Sequence, residues 1–279
     1  MTDHKLVLSV LITVYHRIDP DELTAALDSL VTQTRMPDDI LVVIDGPIPP
    51  TLRARIDDFA AAHPIVRVHA LPNNLGAGPA SQAGIELINA DVIARLDADD
   101  IACPTRFEKQ LAAIEDGFDV VGTAMEEFAT DPESPTGVRR LPETHEAIAR
   151  YARINSPVNN PSVMIRRAAL LAAGGYRDVH FMEDYDLYAR LLSSGARFVN
   201  LPEPLTKFRV TDSQFGRRTG REMLAAEWQM QKNLVSYGLV SRPRSVVNYV
   251  VRTAYRFLPL QLLQRVYRLL FHRNTTHAG

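Results

Sequence analysis

Over its first hundred residues the chain alternates short β-branched apolar runs with stretches of helical spacing, and no other feature narrows the fold as much. Residues 6–13 (LVLSVLIT) read as a central strand buried on both faces, 40–44 (ILVVI) and 92–96 as buried strands, and 66–70 as a further strand. Between them, residues 21–33 place Leu23, Leu27, Leu30 and Val31 on one helical face, and residues 51–62 and a stretch ending at Ile88 read as helices too. This order predicts an α/β fold with a Rossmann-like, doubly wound sheet. In such sheets ligands bind beyond the carboxyl ends of the strands. Tyr15, Asp45, Asn73 and Asp97 stand at or just beyond those four ends.

The familiar nucleotide loops are missing. Gly76-Ala77-Gly78 is not GxGxxG and follows the third strand, and no GxxxxGK[ST] occurs, which disfavours NAD and ATP folds. A single cysteine, Cys103, excludes an intrachain disulfide and a cysteine-based zinc site, in keeping with a reducing cytoplasm. Residues 6–14 read as a strand and not as a signal peptide, and no apolar run is long enough to span a bilayer.

The fourth run passes directly into Asp97-Ala98-Asp99-Asp100. Side chains two apart on an extended backbone point the same way, so Asp97 and Asp99 can share one hard cation together with a substrate diphosphate. The same residues also suit an acidic loop that starts the next helix, predicted over 105–116. A strand at 119–122, a proline-rich charged loop at 130–144 and a strand at 162–165 follow. Met182-Glu183-Asp184-Tyr185-Asp186 then opens a helix lasting to about 194, its carboxylates placed where the helix dipole favours them.

Beyond residue 215 the composition changes. A helix over 216–237 is expected to pack on the preceding domain around Trp228, Met223, Leu224 and Met230. From 241 to 279 there are seven arginines and no acid, which leaves the first 240 residues at about −9. Residues 245–257 and 260–272 form two apolar, arginine-bearing segments, the second with Arg265, Arg268 and His272 on one face. Two readings stay open: an interfacial helix facing anionic lipid, or a hairpin packed on the acidic body or on a second copy of the chain. Charge alone allows nucleic acid, but no recognition motif supports it, and no nucleic-acid partner is expected.

Taken in order, VLITVYHR, ILVVIDGP, NNLGAGPASQAGI, ARLDADDIACPTRFEKQ, NPSVMIRR, GGYR and EDYDLYARLLSSG resemble the glycosyltransferase family 2 enzymes over residues 6 to about 212. The resemblance implies a GT-A fold with a mixed sheet, divided into a catalytic domain at 1–215 (a nucleotide-binding half of about 1–103 and an acceptor half of about 104–215) and a helical extension at 216–279. It implies an inverting transfer of sugar from a nucleoside-diphosphate sugar to a hydroxyl of a saccharide or lipid-linked saccharide, in bacterial surface polysaccharide or glycolipid synthesis. It places the protein in the cytoplasm or peripherally on the inner face of the cell membrane, with residues 245–272 toward anionic lipid. Tyr15 would lie near the base and Asp45 would accept from a base N–H. Asp97 would hold the ribose or metal, and Asp99 would coordinate Mn2+ or Mg2+. Arg95 would support the phosphates or form a plain salt bridge with these carboxylates. Asp184 would be the base, with Glu183 positioning it or the acceptor.

Two positions depart from the family pattern. Asn160 and the Thr211-Asp212 pair stand where relatives often carry histidine, which leaves Asp212, or Arg209 with Arg217, for the diphosphate. Sugar-nucleotide nucleotidyltransferases also pair such a sheet with metal-bound acids, but the first strand exit, Tyr15-His16-Arg17, lacks their glycine-rich loop. A donor-binding protein without turnover is the remaining alternative.

Overall fold

The computed structural model describes residues 5–210 and 221–256. Strand β1 (Leu8–Val14) is the axis of the sheet because it is apolar on both faces: Leu8, Val10, Ile12 and Val14 enter one core cluster while Leu11 enters the other. β2 (Asp39–Asp45) and β4 (Val92–Arg95) flank it in parallel, and β3 (Val66–Leu71) pairs beyond β2. Past β4 the direction changes: β8 (Met164–Arg166) is antiparallel to it and β6 (Val120–Phe128) antiparallel to β8. β9 (Phe198–Arg209) runs parallel to β6, β5 (Ile101–Ala102) closes that edge, and β7 (Gly137–Arg139) pairs beside β6. The sheet is thus mixed and nine-stranded, in the order β3-β2-β1-β4-β8-β6-β9-β5 with β7 off the path.

Helices cover both faces. On one lie α1 (Pro20–Val31), α2 (Pro50–Ala62) and α4 (Arg106–Glu115), contributing Leu23, Leu27, Ile56 and Phe107. On the other lie α3 (Ala77–Leu87), α5 (His145–Tyr151), α6 (Arg167–Ala172) and α7 (Glu183–Ser193), contributing Ile85, Ile148, Leu170 and Leu187. The start of α1 is fixed locally: Asp19 accepts from the amides of Asp21 and Glu22, and Pro20 stands at the first turn.

A third cluster joins α7 to α8 (Arg221–Ser236), through Met182, Tyr185 and Ala189 against Met223, Met230 and Leu234. Trp228, expected in that packing, is instead 43% exposed and meets Tyr249 edge-on at 5.2 Å. α9 (Arg242–Arg256) is inverted: Ser245, Asn248 and Arg252 face inward while Val246, Val247, Val250 and Val251 are 50–59% exposed. The segment 260–272, with Arg265, Arg268 and His272, lies outside the described residues, as do Thr211, Asp212 and Arg217. Among the described residues no helix is long and apolar enough to cross a membrane.

Candidate functional site

Parallel registers bring the carboxyl ends of β1, β2, β3 and β4 to one rim, where Tyr15, Asp45, Asn73 and Asp97 follow one another along the edge. Asp45 is buried and both its oxygens are engaged, accepting from the amides of Leu75 (2.7 Å) and Gly76 (2.9 Å), while Asn74 Nδ2 donates to its carbonyl at 3.0 Å. Asp45 therefore shapes the turn that starts α3. Gly46 beside it has φ +81°, and a Cβ there would lie 2.4 Å from the Asn74 nitrogen, so only glycine fits. Tyr15 is half-buried, with its ring edge against His16 at 5.5 Å.

After β4 the chain leaves the strand in a turn closed by the Asp100 amide on the Asp97 carbonyl at 3.2 Å. Leu96, Ala98 and Asp100 are buried, whereas Asp97 and Asp99 are partly exposed. A turn, and not the extended backbone expected from the sequence, therefore carries the two carboxylates. The third carboxylate has a different job: Asp100 Oδ1 accepts from the Arg209 amide at 2.8 Å, tying the end of β9 to the turn. The Arg209 guanidinium meets Glu22 at 3.1 Å and the Asp99 carbonyl at 3.2 Å, and covers the Phe128 ring at 4.6 Å. Burial and the charge of Asp97 push the Asp99 carboxyl up to about 6, with Arg209 pulling the other way. Burial and both neighbouring aspartates push Asp100 well above the usual range.

Arg95 lies beneath this turn, almost wholly buried. It donates to the Ser81 hydroxyl and, at 3.3 Å, to Asp97 Oδ1, and it sits 5.5 Å from the centre of the Tyr176 ring. Of the two roles open to it in the sequence, the salt bridge to Asp97 is formed.

Across the rim, α7 opens with Glu183 and Asp184. Asp184 Oδ1 accepts from the Tyr185 amide at 2.7 Å and Oδ2 from the Ser156 hydroxyl at 3.4 Å. Burial, then the charge of Asp184, pushes Glu183 up to about 7. Burial also raises Asp184, while the Tyr185 amide and Arg139 oppose it. Asp97 contributes to raising both acids, so the two carboxylate pairs face one electrostatic environment. Two residues before Glu183, Phe181 is the one described non-glycine residue with positive φ, at 63°. Asn160 accepts from the Tyr188 hydroxyl at 2.9 Å behind α7.

Among the described residues no three His, Cys, Asp or Glu side chains converge as a full metal-ligand set. The residues present nonetheless fit a hard divalent ion: Asp97 and Asp99 are the partly exposed carboxylates of the turn, and burial, then the charge of Asp97, raises Asp99. Such a cation takes its remaining positions from water and phosphate oxygens.

Several supporting residues were not singled out in the sequence. Asp186 is fully buried, paired with Arg190 at 2.8 Å, and accepts from Asn233 and Tyr237, each at 2.8 Å, so it locks α8 onto α7. The i, i+4 spacing of Asp186 and Arg190 was the available signal. Ser156 and Arg252 carried no such signal, because their partners lie far away in sequence.

Residues 9–174 match the sequence model described as glycosyl transferase family 2. The amylovoran biosynthesis glycosyltransferase AmsE of Erwinia amylovora is 35% identical, over 94% of this chain and 98% of its own length. An Escherichia coli UDP-Gal:alpha-D-GlcNAc-diphosphoundecaprenol beta-1,3-galactosyltransferase is 27% identical, over 98% of this chain and 99% of its own. Among solved structures, the mannosyltransferase PcManGT of Pyrobaculum calidifontis, in complex with GDP-Man and Mn2+, superimposes with a TM-score of 0.64 at 13% identity, over 96% of this chain and 81% of that one. At that identity the likeness speaks for the fold, which is the GT-A arrangement the sequence implied.

Proposed function

The chain belongs to glycosyl transferase family 2, a glycosyltransferase of polysaccharide or lipid-linked sugar biosynthesis, and on that premise we propose an inverting transfer from a nucleoside-diphosphate sugar to a hydroxyl acceptor. What supports the mechanism is that Glu183 opens α7 against the start of α3, where a Cβ on Gly78 would lie 3.2 Å from the Glu183 Cβ, while Asp97 and Asp99 follow the carboxyl end of β4 in the same parallel sheet.

In this reading the nucleotide lies along the rim, its base near Tyr15 and the turn held by Asp45. Asp97 and Asp99 would hold a divalent cation, which when bound supplies Lewis-acid stabilisation of the leaving diphosphate. Arg95 fixes Asp97 from below, and Arg209 braces the Asp99 turn while lending positive charge to the diphosphate end. Asp184 accepts the proton of the acceptor hydroxyl as that oxygen bonds to the anomeric carbon and the bond to the diphosphate breaks. Burial raises the basicity of Asp184, which suits a general base. Glu183 orients the acceptor beside it. One displacement with the base opposite the leaving group inverts the anomeric centre.

A lipid-linked saccharide is the acceptor class that the extension fits. The valine face of α9 has no covering element among the described residues, Trp228 and Tyr249 border it, and the chain from 241 onward is basic without any acid. Such a surface suits an anionic bilayer on the inner side of the membrane. Val246→Asp with Val250→Asp should abolish cosedimentation with phosphatidylglycerol vesicles, and unchanged sedimentation would overturn the membrane assignment.

The catalytic reading is tested by Asp184→Asn. Calorimetry with UDP-galactose and GDP-mannose, each with Mn2+, with Mg2+ and with chelator, should show donor binding unchanged in the variant. Transfer should fall about 100- to 10,000-fold, the usual share of a general base. Wild-type transfer by the variant would remove Asp184 from that role, and binding indifferent to chelator would remove the cation.

A further inference from the structure

We infer that Arg252, on the C-terminal helix, is a positioning residue for sugar transfer, acting through Asn155 and Ser156 on Asp184. The inference rests on the reading of Asp184 as the base. Arg252 Nη1 donates to the Ile154 carbonyl at 2.6 Å and to Asn155 Oδ1 at 2.9 Å. Asn155 Oδ1 also accepts from the Ser156 amide at 3.0 Å, and Asn155 Nδ2 donates to the Tyr151 hydroxyl at 3.0 Å. Ser156 Oγ then donates to Asp184 Oδ2. Three hydrogen bonds thus lead from the extension to the carboxylate oxygen.

Arg252 is itself held rigidly. Its Nε pairs at 2.6 Å with Glu227, which is fully buried in α8 and also accepts from Gln231 at 3.0 Å. The same guanidinium lies 5.6 Å from the centre of the Tyr185 ring, and the Tyr185 hydroxyl donates to the Ala152 carbonyl at 2.7 Å. Arg252 therefore touches both the loop before Ser156 and the residue next to Asp184. One turn earlier, Asn248 donates to the Arg153 carbonyl at 2.7 Å, so α9 grips three successive residues of that loop, Arg153 to Asn155.

This geometry explains why a polar face of α9 is turned inward. A loop holding a hydroxyl against a base must not drift, since misplacement by about 1 Å in such a site costs on the order of 100-fold in rate. Cross-linking the loop to α8 through one planar, forked cation supplies that rigidity better than an ammonium can.

The test compares full-length Arg252→Gln, Asn155→Ala, Ser156→Ala and Asp184→Asn. Asn155→Ala leaves the Glu227 pair intact, so it reports on the relay even where Arg252→Gln destabilises the chain. Release of nucleoside diphosphate from UDP-galactose and from GDP-mannose is followed, together with amide exchange of residues 153–158. Both Arg252→Gln and Asn155→Ala should lower kcat about 10- to 100-fold with donor KM unchanged. Combining either with Ser156→Ala should cost no more than Ser156→Ala alone, the non-additivity of residues acting in series. Exchange at Ser156 should rise in both variants and stay unchanged at the Asp97–Asp100 turn. Unaltered exchange at Ser156, or wild-type kcat in Asn155→Ala beside an inactive Asp184→Asn, would overturn the relay. An active Asp184→Asn would instead overturn the base assignment on which it rests.

Discussion

Glu183→Gln should stabilise the protein at neutral pH while impairing it as an enzyme. Glu183 is pushed from the ordinary 4.5 up to about 7, by burial first and by the charge of Asp184 second. A carboxyl whose folded value is raised binds more protons folded than unfolded, so stability falls as pH rises between the two values. Below about pH 4.5 the group is neutral in both states and contributes nothing; above about 7 the full penalty is in force. A displacement of this size corresponds to about 3 kcal/mol. Glutamine has nearly the same shape and no charge, so it removes the penalty. Urea unfolding of both proteins in chelator, without donor, from pH 4.5 to 8 should show the variant's advantage growing through that window to about 3 kcal/mol. A difference between the two proteins that is the same at pH 5 and pH 8 would refute the argument, because it would mean that Glu183 ionises no less readily folded than unfolded.

Gly46→Ala should cost roughly 2–4 kcal/mol, combining a left-handed backbone with a clash against the Asn74 nitrogen, and should weaken donor binding in calorimetry by disturbing the Asp45 turn. Asp100→Ala leaves the Arg209 amide buried without its acceptor and should cost roughly 1–3 kcal/mol in urea unfolding, whereas Asp100→Asn keeps an acceptor there and should cost less.

The central parallel strands were legible because they are buried on both faces and therefore almost wholly apolar: β1, β2 and β4 lie within two residues of their expected bounds, whereas β3, at the edge, is partly exposed. β9 was not legible. Pro202 and Pro204 interrupt it, and internal prolines argue against a strand with neighbours on both sides. The sheet accommodates them with register shifts on either side of Ala124, the residue that faces Pro204. Strand β7 likewise hides in what reads as a proline-rich loop. At the site, the strand leading to Asp97 was legible, but nothing in Asp97-Ala98-Asp99-Asp100 marks the turn that closes on the Asp97 carbonyl or Asp100 as the buried carboxylate. Its burial depends on Arg209, which joins it only in the folded sheet. The inward Arg252 was invisible for the same reason, since an arginine beside valines reads as the polar side of a surface helix.

The tie between Asp100 and Arg209 spans 109 residues of sequence, and this sets an order of events on the ribosome. The strands that present Asp97 and Asp99 emerge early and can pair among themselves. The third aspartate then waits, solvated and charged, until β9 has been made and laid parallel to β6. Only at that point can Asp100 leave water and the turn close over its amide. A nascent chain released before that strand would carry the acidic motif of a sugar transferase without the brace that shapes it.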